Sequence, residues 1–264
     1  MLTIGGSTTD QIYITEGKTF QDLLDIKLQN KFDFTNGGVD GQSSAGHLFS
    51  INNWHSKALD EKKINEIIYY IGINDRNLFI ENKRFLVKYT FKRKLLDTFN
   101  SNSKLFRFFK SIFHSKNLPI DFDPLAAHTA KFDFIDTNKL TYIDPKLRST
   151  NYEEGIQELI LSTINLFPYS SIKIIQQQIP GCKFLNKTIV IDRHGNDSKM
   201  CMQLGGVYLG IDNVVEKLSE INKSKISVHK MYLLNILGDE DVYDAVHTNN
   251  NGSEKISEYI HSLY

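Results

Sequence analysis

The sequence predicts an α/β fold, with one parallel sheet of about five strands and helices on both of its faces. Apolar segments of strand length alternate along the chain with segments whose apolar residues recur at helical spacing. A repeated β–α–β order makes the strands parallel and places the helices on the faces of the sheet. One region, about residues 77–151, departs from this alternation and predicts a helical insertion after the third strand.

Length, composition and charge are those of a single globular domain. The chain has 264 residues, of which 41% are hydrophobic, and this is enough to form a large core. Lys and Arg together number 31, as do Asp and Glu, so the chain lacks the positive excess typical of nucleic-acid-binding proteins. We therefore predict one domain over residues 1–264 and no nucleic-acid partner, with the oligomeric state left open.

Three strands are predicted in the first part of the chain. The first ends at the glycine pair Gly5 and Gly6, and an amphipathic helix over residues 19–28 follows, with Thr19 as its cap. KFDFTNGG predicts a second strand that ends at Asn36. EIIYYIGIND predicts a third strand, and because it is apolar on both faces it belongs inside a parallel sheet.

Two further strands are predicted after the insertion. NYEEGIQELILSTINLF predicts a long helix, and SSIKIIQQQIP predicts the fourth strand, which Pro180 stops. VVEKLSEINKS predicts another helix, and we place the last strand in HKMYLLNIL. A C-terminal helix that carries Ile256 and Ile260 on one side completes the alternation.

The insertion is rich in aromatic and basic residues. Between residues 92 and 116 the only acidic residue is Asp97, while Lys and Arg alternate with Phe, Leu and Ile. This pattern is typical of helices whose apolar face packs on the body of the protein and whose charges face solvent. The alternatives are a lid over a functional site, or a surface with weak contact to an anionic partner or membrane.

Two features of the sequence bear on the cellular compartment of the protein, namely its cysteine content and its lack of long apolar segments. Cys182 and Cys201 are the only cysteines, and two in a chain of this size are more often free thiols, so we predict free thiols and leave their pairing open. No segment approaches the roughly 20 apolar residues of a membrane span, and no basic-then-apolar leader precedes the first strand. We expect a cytoplasmic protein, or a cell-envelope protein if an N-terminal anchor has been removed.

Four polar stretches lie near the predicted carboxyl ends of strands, where open parallel sheets bind their ligands. They are GGSTT around Ser7, NGGVDG at residues 36–41, GIND at residues 72–75 and DAVH at residues 244–247. Each one alone is ordinary turn chemistry. Together they contain every group that a serine nucleophile needs.

A serine hydroxyl becomes a nucleophile when an oriented base takes its proton. Asp244 and His247, three residues apart, could form such an oriented base for Ser7. The oxyanion of the tetrahedral intermediate needs donors that are already in place. We predict that the backbone N–H groups of Ser7 and Gly38 and the side-chain amide of Asn74 supply them.

These blocks and their order resemble the SGNH, or GDSL-type, hydrolases. Ser7, Gly38, Asn74 and His247 match the four letters of the name, and Asp244 matches the acid of the family's DxxH block. The resemblance extends from residue 4 to about residue 260. It implies a three-layer αβα sandwich of flavodoxin-like topology and hydrolysis of acyl esters through an acyl-serine intermediate.

One position departs from the family motif, since Gly6 stands where the name-giving version has Asp. We associate this GGST variant with members that act on bacterial surface polysaccharides and carbohydrate esters. The expectation is therefore a serine esterase that removes small acyl groups, most simply acetyl, from a carbohydrate. The alternatives are an O-acetyltransferase that uses the same acyl-serine, a lipid or thioester hydrolase, and a non-enzymatic binding module.

Other enzyme classes are disfavoured by the motifs that they would require. The chain has neither the GxxxxGK[ST] nor the GxGxxG phosphate-binding motif after its first strand, and it lacks the GxSxG of α/β-hydrolases. No clustered metal ligands are apparent, and His194 in DRHGND is most simply a loop residue. We predict no cofactor and no metal.

Overall fold

The computed structural model describes residues 1–29, 31–85, 141–144, 148–187, 189–192, 198–221, 225–244 and 246–264. The strands are β1 (Leu2–Gly5), β2 (Thr35–Gly38), β3 (Glu66–Ile71), β4 (Thr141–Tyr142), β5 (Ser171–Gln176), β6 (Cys182–Asn186), β7 (Ile189–Asp192) and β8 (Ile226–His229). The helices are α1 (Ser7–Asp10), α2 (Phe20–Lys27), α3 (Ser44–Ser50), α4 (Ser56–Ala58), α5 (Arg76–Ile80), α6 (Thr150–Leu166), α7 (Ser198–Ile221), α8 (Met231–Leu234) and α9 (Asn250–His261). A π-helical turn, Ile51–His55, joins α3 to α4.

The central sheet has five parallel strands in the order β2-β1-β3-β5-β8. In β1, Leu2 pairs with Thr35 of β2 on one side and with Ile67 of β3 on the other. Strand β1 thus lies in the interior of the sheet and β2 forms one edge. Strands β3, β5 and β8 follow on the other side of β1. This order confirms the predicted flavodoxin-like α/β fold.

Both faces of the sheet are buried under helices. Within β3, Tyr69 points into a core that includes residues of α3, α6 and α7, whereas Tyr70 points into a second core that includes residues of α2 and α9. Every residue of β3 is buried, as the apolar run of residues 67–71 predicts for most of the strand. The described helices and the sheet therefore form the three layers of an αβα sandwich.

The Thr19 cap is also confirmed. The Thr19 hydroxyl accepts a hydrogen bond from the Asp22 N–H at 3.2 Å, and the Asp22 carboxylate accepts one from the Thr19 N–H at 3.2 Å. This reciprocal arrangement satisfies two backbone donors that a helix start otherwise leaves unpaired.

The structure corrects the position of the last strand. We placed it in HKMYLLNIL, but β8 is the preceding Ile226–His229, and Met231–Leu234 forms the short helix α8. Short apolar runs fit either secondary structure, so periodicity does not separate them. The second strand likewise continues beyond Asn36 to Gly38. His194 lies outside the described residues.

A small antiparallel sheet, β4-β7-β6, was not predicted. Its strand β6 begins at Cys182, which forms a disulfide with Cys201 in α7, so the prediction of free thiols is wrong. The two Cα atoms lie 5.5 Å apart and both side chains are buried. The number of cysteines does not indicate which residues lie close together in the fold, and for this reason composition favoured free thiols.

Most of the predicted insertion, including residues 92–116, lies outside the described residues. At its edges, α5 follows β3, and β4 leads towards α6. The helical lid and the weak anionic contact remain predictions. Of the helices that the structure describes, none combines the length and the apolar character needed to cross a membrane.

Candidate active site

Ser7 begins α1 directly beyond the carboxyl end of β1. The turn depends on Gly5, since a Cβ there would lie 2.0 Å from the Thr9 hydroxyl oxygen and 2.6 Å from the Tyr70 carbonyl oxygen. Gly6 is the N-cap, and its carbonyl accepts hydrogen bonds from the Thr9 and Asp10 N–H groups. The Ser7 N–H is one of the first amides of this helical turn and has no acceptor among the described residues.

Ser7, His247 and Asp244 lie in one hydrogen-bonded row. The Ser7 Oγ is 2.7 Å from His247 Nε2, and His247 Nδ1 is 2.6 Å from Asp244 Oδ2. A carboxylate only accepts hydrogen bonds, so Nδ1 carries the proton and Nε2 is left to accept from the serine hydroxyl. This is the geometry that a serine and its general base require.

The Asp244 carboxylate is fixed by its own turn. Its Oδ1 accepts from the backbone N–H groups of Val246 at 2.8 Å and His247 at 2.7 Å. Partial burial by itself raises the pKa of Asp244, but these hydrogen bonds and the His247 ring outweigh it and lower that pKa below its ordinary value. Asp244 therefore stays ionised at neutral pH and keeps the imidazole in the required tautomer.

Asn74 lies beside Gly6, in the turn after β3. Its Nδ2 donates to the Gln42 carbonyl oxygen at 2.9 Å, and a Cβ on residue 6 would lie 2.2 Å from that nitrogen. A side chain at residue 6 would therefore displace the Asn74 amide. The Asp of the name-giving GDSL motif, placed at residue 6, would not fit the position that the Asn74 amide occupies here.

We predicted that the Gly38 N–H is a donor to the oxyanion, but in the structure this N–H is already hydrogen-bonded. Its N–H donates to Asn36 Oδ1 at 2.9 Å, and a Cβ at Gly38 would lie 2.3 Å from the Asp10 nitrogen. A glycine is needed here for close packing of β2 against α1. The sequence argument chose a glycine in NGGVDG that has this packing role.

Gly41, which the sequence argument missed, is a better candidate donor. It has a φ of +67°, a conformation that favours glycine, and it directly precedes Gln42, whose carbonyl holds Asn74. No described residue accepts a hydrogen bond from its N–H. The third glycine of NGGVDG was the available signal, but backbone conformation was needed to choose among the three.

Two buried side chains hold the loop that carries Gly41 and Gln42. Asp75 accepts hydrogen bonds from the Ser44 N–H at 2.7 Å, the Ser44 hydroxyl at 2.5 Å and the Tyr152 hydroxyl at 2.9 Å. The Gln42 amide oxygen lies 2.8 Å from His47 Nδ1. Burial raises the pKa of Asp75, and its hydrogen bonds oppose that effect. The sequence argument missed both supports.

Among the described residues, no group of three or more His, Cys, Asp or Glu side chains is placed to hold a metal ion. The site described above consists of the nucleophile row, the Asn74 amide and the unpaired Ser7 N–H, and the Gly41 N–H is the candidate for a further donor.

No family model and no curated protein sequence matches the chain. Solved structures do. A member of the lipolytic G-D-S-L family from Veillonella parvula superimposes with a TM-score of 0.51 at 15% identity, covering 100% of this chain and 96% of that one. The chain has the fold of the GDSL-type proteins.

Two carbohydrate esterases share this fold. A family 3 carbohydrate esterase from Clostridium thermocellum gives a TM-score of 0.52 at 13% identity, with 99% of this chain and 92% of that chain covered. An acetyl xylan esterase gives a TM-score of 0.52 at 12% identity, with 100% and 99% covered. At these identities the similarity concerns the fold, and the chemistry has to be argued from the site.

Proposed function

We propose that this protein is an SGNH-type serine esterase that removes small acyl groups, in particular acetyl, from a carbohydrate. The observation that carries the proposal is the row from Ser7 through His247 to Asp244, with contacts of 2.7 and 2.6 Å. It lies at the carboxyl edge of the parallel sheet, where ligands of such folds bind. The two carbohydrate esterases of the same fold support the choice of substrate.

In the proposed reaction, Ser7 Oγ attacks the ester carbonyl carbon while His247 Nε2 takes the hydroxyl proton. The imidazolium that results is stabilised by the ionised Asp244. It then protonates the departing alcohol oxygen, which leaves an acyl-serine. Water, deprotonated by the same imidazole, attacks the acyl carbon and releases the carboxylic acid and free Ser7.

The negative charge of the tetrahedral intermediate requires fixed donors. We assign this role to the N–H groups of Ser7 and Gly41 and to the Asn74 amide, in place of Gly38. Asn74 has two amide hydrogens, so one can remain on the Gln42 carbonyl while the other meets the oxyanion. A crystal structure of a phosphonate adduct tests this assignment, because its phosphonyl oxygen should lie about 3 Å from these three nitrogens. An oxygen bound to the Gly38 nitrogen instead would contradict it.

Activity is tested with an acetylated xylo-oligosaccharide and with ethyl acetate. Ser7→Ala should reduce kcat for both by at least about 10³-fold. Asn74→Ala should lower kcat by about 10²–10³-fold with little change in KM, since its amide meets charge that develops in the transition state. Ser262→Ala, an exposed serine in the C-terminal turn, is the matched control and should behave as wild type. Full activity of Ser7→Ala would refute the proposal.

The same acyl-serine would also serve an O-acetyltransferase if a sugar hydroxyl replaced water. Product analysis with an acetyl donor and an unacetylated oligosaccharide distinguishes the two. We expect free acetate as the main product, and acetylated acceptor as the main product would favour the transferase. A binding module is distinguished by sugar binding without Ser7-dependent turnover.

A further inference from the structure

An aromatic pair continues the active site outward from His247. The Tyr243 ring stacks on the His247 ring, with centroids 5.6 Å apart and planes inclined by 9°. Tyr13 meets Tyr243 edge to face, with centroids 6.2 Å apart and an 84° angle. Neither contact is needed for proton transfer to His247.

Most of Tyr13 remains open to solvent. Its exposed fraction is 75%, and that of the neighbouring Ile12 is 70%. Tyr13 lies in the loop after α1, whose first residue is Ser7, whereas Tyr243 directly precedes Asp244. The two rings thus come from the two segments that carry the nucleophile and its base. A bound ester whose carbonyl faces Ser7 would extend its alcohol portion along one side of this row.

The surroundings of the pair are acidic. Burial and then the nearby Asp40 raise the pKa of Asp10. Burial, followed by Asp244, Tyr13 and Asp40, raises the pKa of Tyr243 to about 12. Asp10 is the last residue of α1, three residues before Tyr13, and Asp40 lies two residues after Gly38, which packs against the Asp10 backbone. Neither Asp10 nor Asp40 forms an ion pair within the part of the chain that the structure describes.

We propose that Tyr13 and Tyr243 form the subsite for the alcohol portion of the substrate, and that this portion is an uncharged sugar ring. The inference rests on the proposed esterase function and adds the recognition of its substrate. An aromatic face packs against the C–H face of a sugar, and carboxylates accept hydrogen bonds from its hydroxyls. Unpaired carboxylates disfavour an anionic sugar by charge repulsion and an alkyl chain by the cost of desolvating them.

The test compares two substrates in matched tyrosine variants. For each variant, kcat/KM is measured with a neutral acetylated xylo-oligosaccharide and with ethyl acetate, and the ratio of the two values is taken. Tyr13→Ala should lower this ratio about tenfold, mainly through KM, and Tyr13→Phe should keep it within about twofold. Tyr169→Ala is the control. Tyr169 is exposed as well, at 66%, but it lies before the amino end of β5, whereas Ser7 lies beyond the carboxyl end of β1. Tyr169→Ala should leave the ratio unchanged.

Charge is tested with an acetylated oligosaccharide that carries a uronic acid. Asp40→Asn should increase kcat/KM for this anionic substrate relative to the neutral one, more strongly at low salt than at high salt. An unchanged ratio in Tyr13→Ala, or a preference of the wild type for the anionic sugar, would overturn the subsite while leaving the esterase intact. A wild-type protein that shows no Ser7-dependent hydrolysis of any of these esters would instead refute the underlying function, and the subsite with it.

Discussion

Replacing His47 by Asn should remove a large acid-dependent loss of stability. His47 is only 1% exposed, and its Nδ1 lies 2.8 Å from the Gln42 amide oxygen. Burial, with a smaller contribution from nearby His55, lowers the pKa of His47 to about 3. Between about pH 3 and about pH 6.5, the folded protein therefore keeps this imidazole neutral, whereas an unfolded chain protonates it. Asn can offer a similar N–H donor to Gln42 and does not titrate.

The magnitude follows from the difference in pKa between the two states. An unfolded histidine has a pKa of about 6.5, so below this pH the unfolded state binds a proton that the folded state excludes. Folding stability then decreases as the pH falls from about 6.5 towards the folded value near 3. Between pH 8 and pH 5, this single group should cost about 2 kcal/mol.

The assay is urea unfolding at pH 8 and at pH 5. Between the two pH values, the wild type should lose about 2 kcal/mol more unfolding free energy than His47→Asn. His261→Asn is the control, because His261 is exposed at the end of α9, and it should match the wild type. Equal losses in the wild type and His47→Asn would refute a neutral, buried His47 and with it this support of the Gln42 loop.

Three further substitutions test other parts of the structure. Gly6→Asp, which introduces the residue of the name-giving GDSL motif, should lower kcat at least about tenfold with the fold retained by circular dichroism, because its Cβ would displace the Asn74 amide; wild-type activity would show that Asn74 is not held there. Asp75→Ala leaves three buried donors without their acceptor and should cost about 2–4 kcal/mol in urea unfolding, more than Asp75→Asn, whereas equal effects would contradict the hydrogen bonding. Cys182→Ser opens a disulfide across 19 residues and should cost about 3 kcal/mol, measured against the wild type with and without reductant; a variant as stable as the oxidised wild type would argue against the disulfide.

The fold was predictable where a local pattern corresponds to one environment. IIYYI, residues 67–71, is apolar throughout because β3 is buried on both faces, and Thr19 with Asp22 indicates a helix start by purely local hydrogen bonds. HKMYLLNIL was misassigned because Met231 and Tyr232 are buried in a short helix, where an apolar run has the same composition as a strand. Local sequence does not distinguish these cases.

The site was predictable in its side chains and less so in its backbone. The structure brings Ser7, Asp244 and His247 together as the turn positions predict, and it places Asn74 beside Gly6. The choice of Gly38 depended on which N–H group is free, and that is decided by the direction of the peptide and by the Asn36 side chain. The Asp75 support of the Gln42 loop and the Cys182–Cys201 disulfide join segments distant in sequence, so no local pattern indicates them. The His47 support spans only five residues.

The central claim is that His247 activates Ser7 as the nucleophile, and covalent labelling tests it most directly. The wild type is incubated with a fluorophosphonate and digested, and the site of the adduct is found by mass spectrometry. The account predicts one adduct per chain, on Ser7, with parallel loss of esterase activity, and a labelling rate at least about 10³-fold lower in His247→Ala. Loss of activity with the label on another residue and Ser7 unmodified, or equal labelling of Ser7 in His247→Ala, would contradict it.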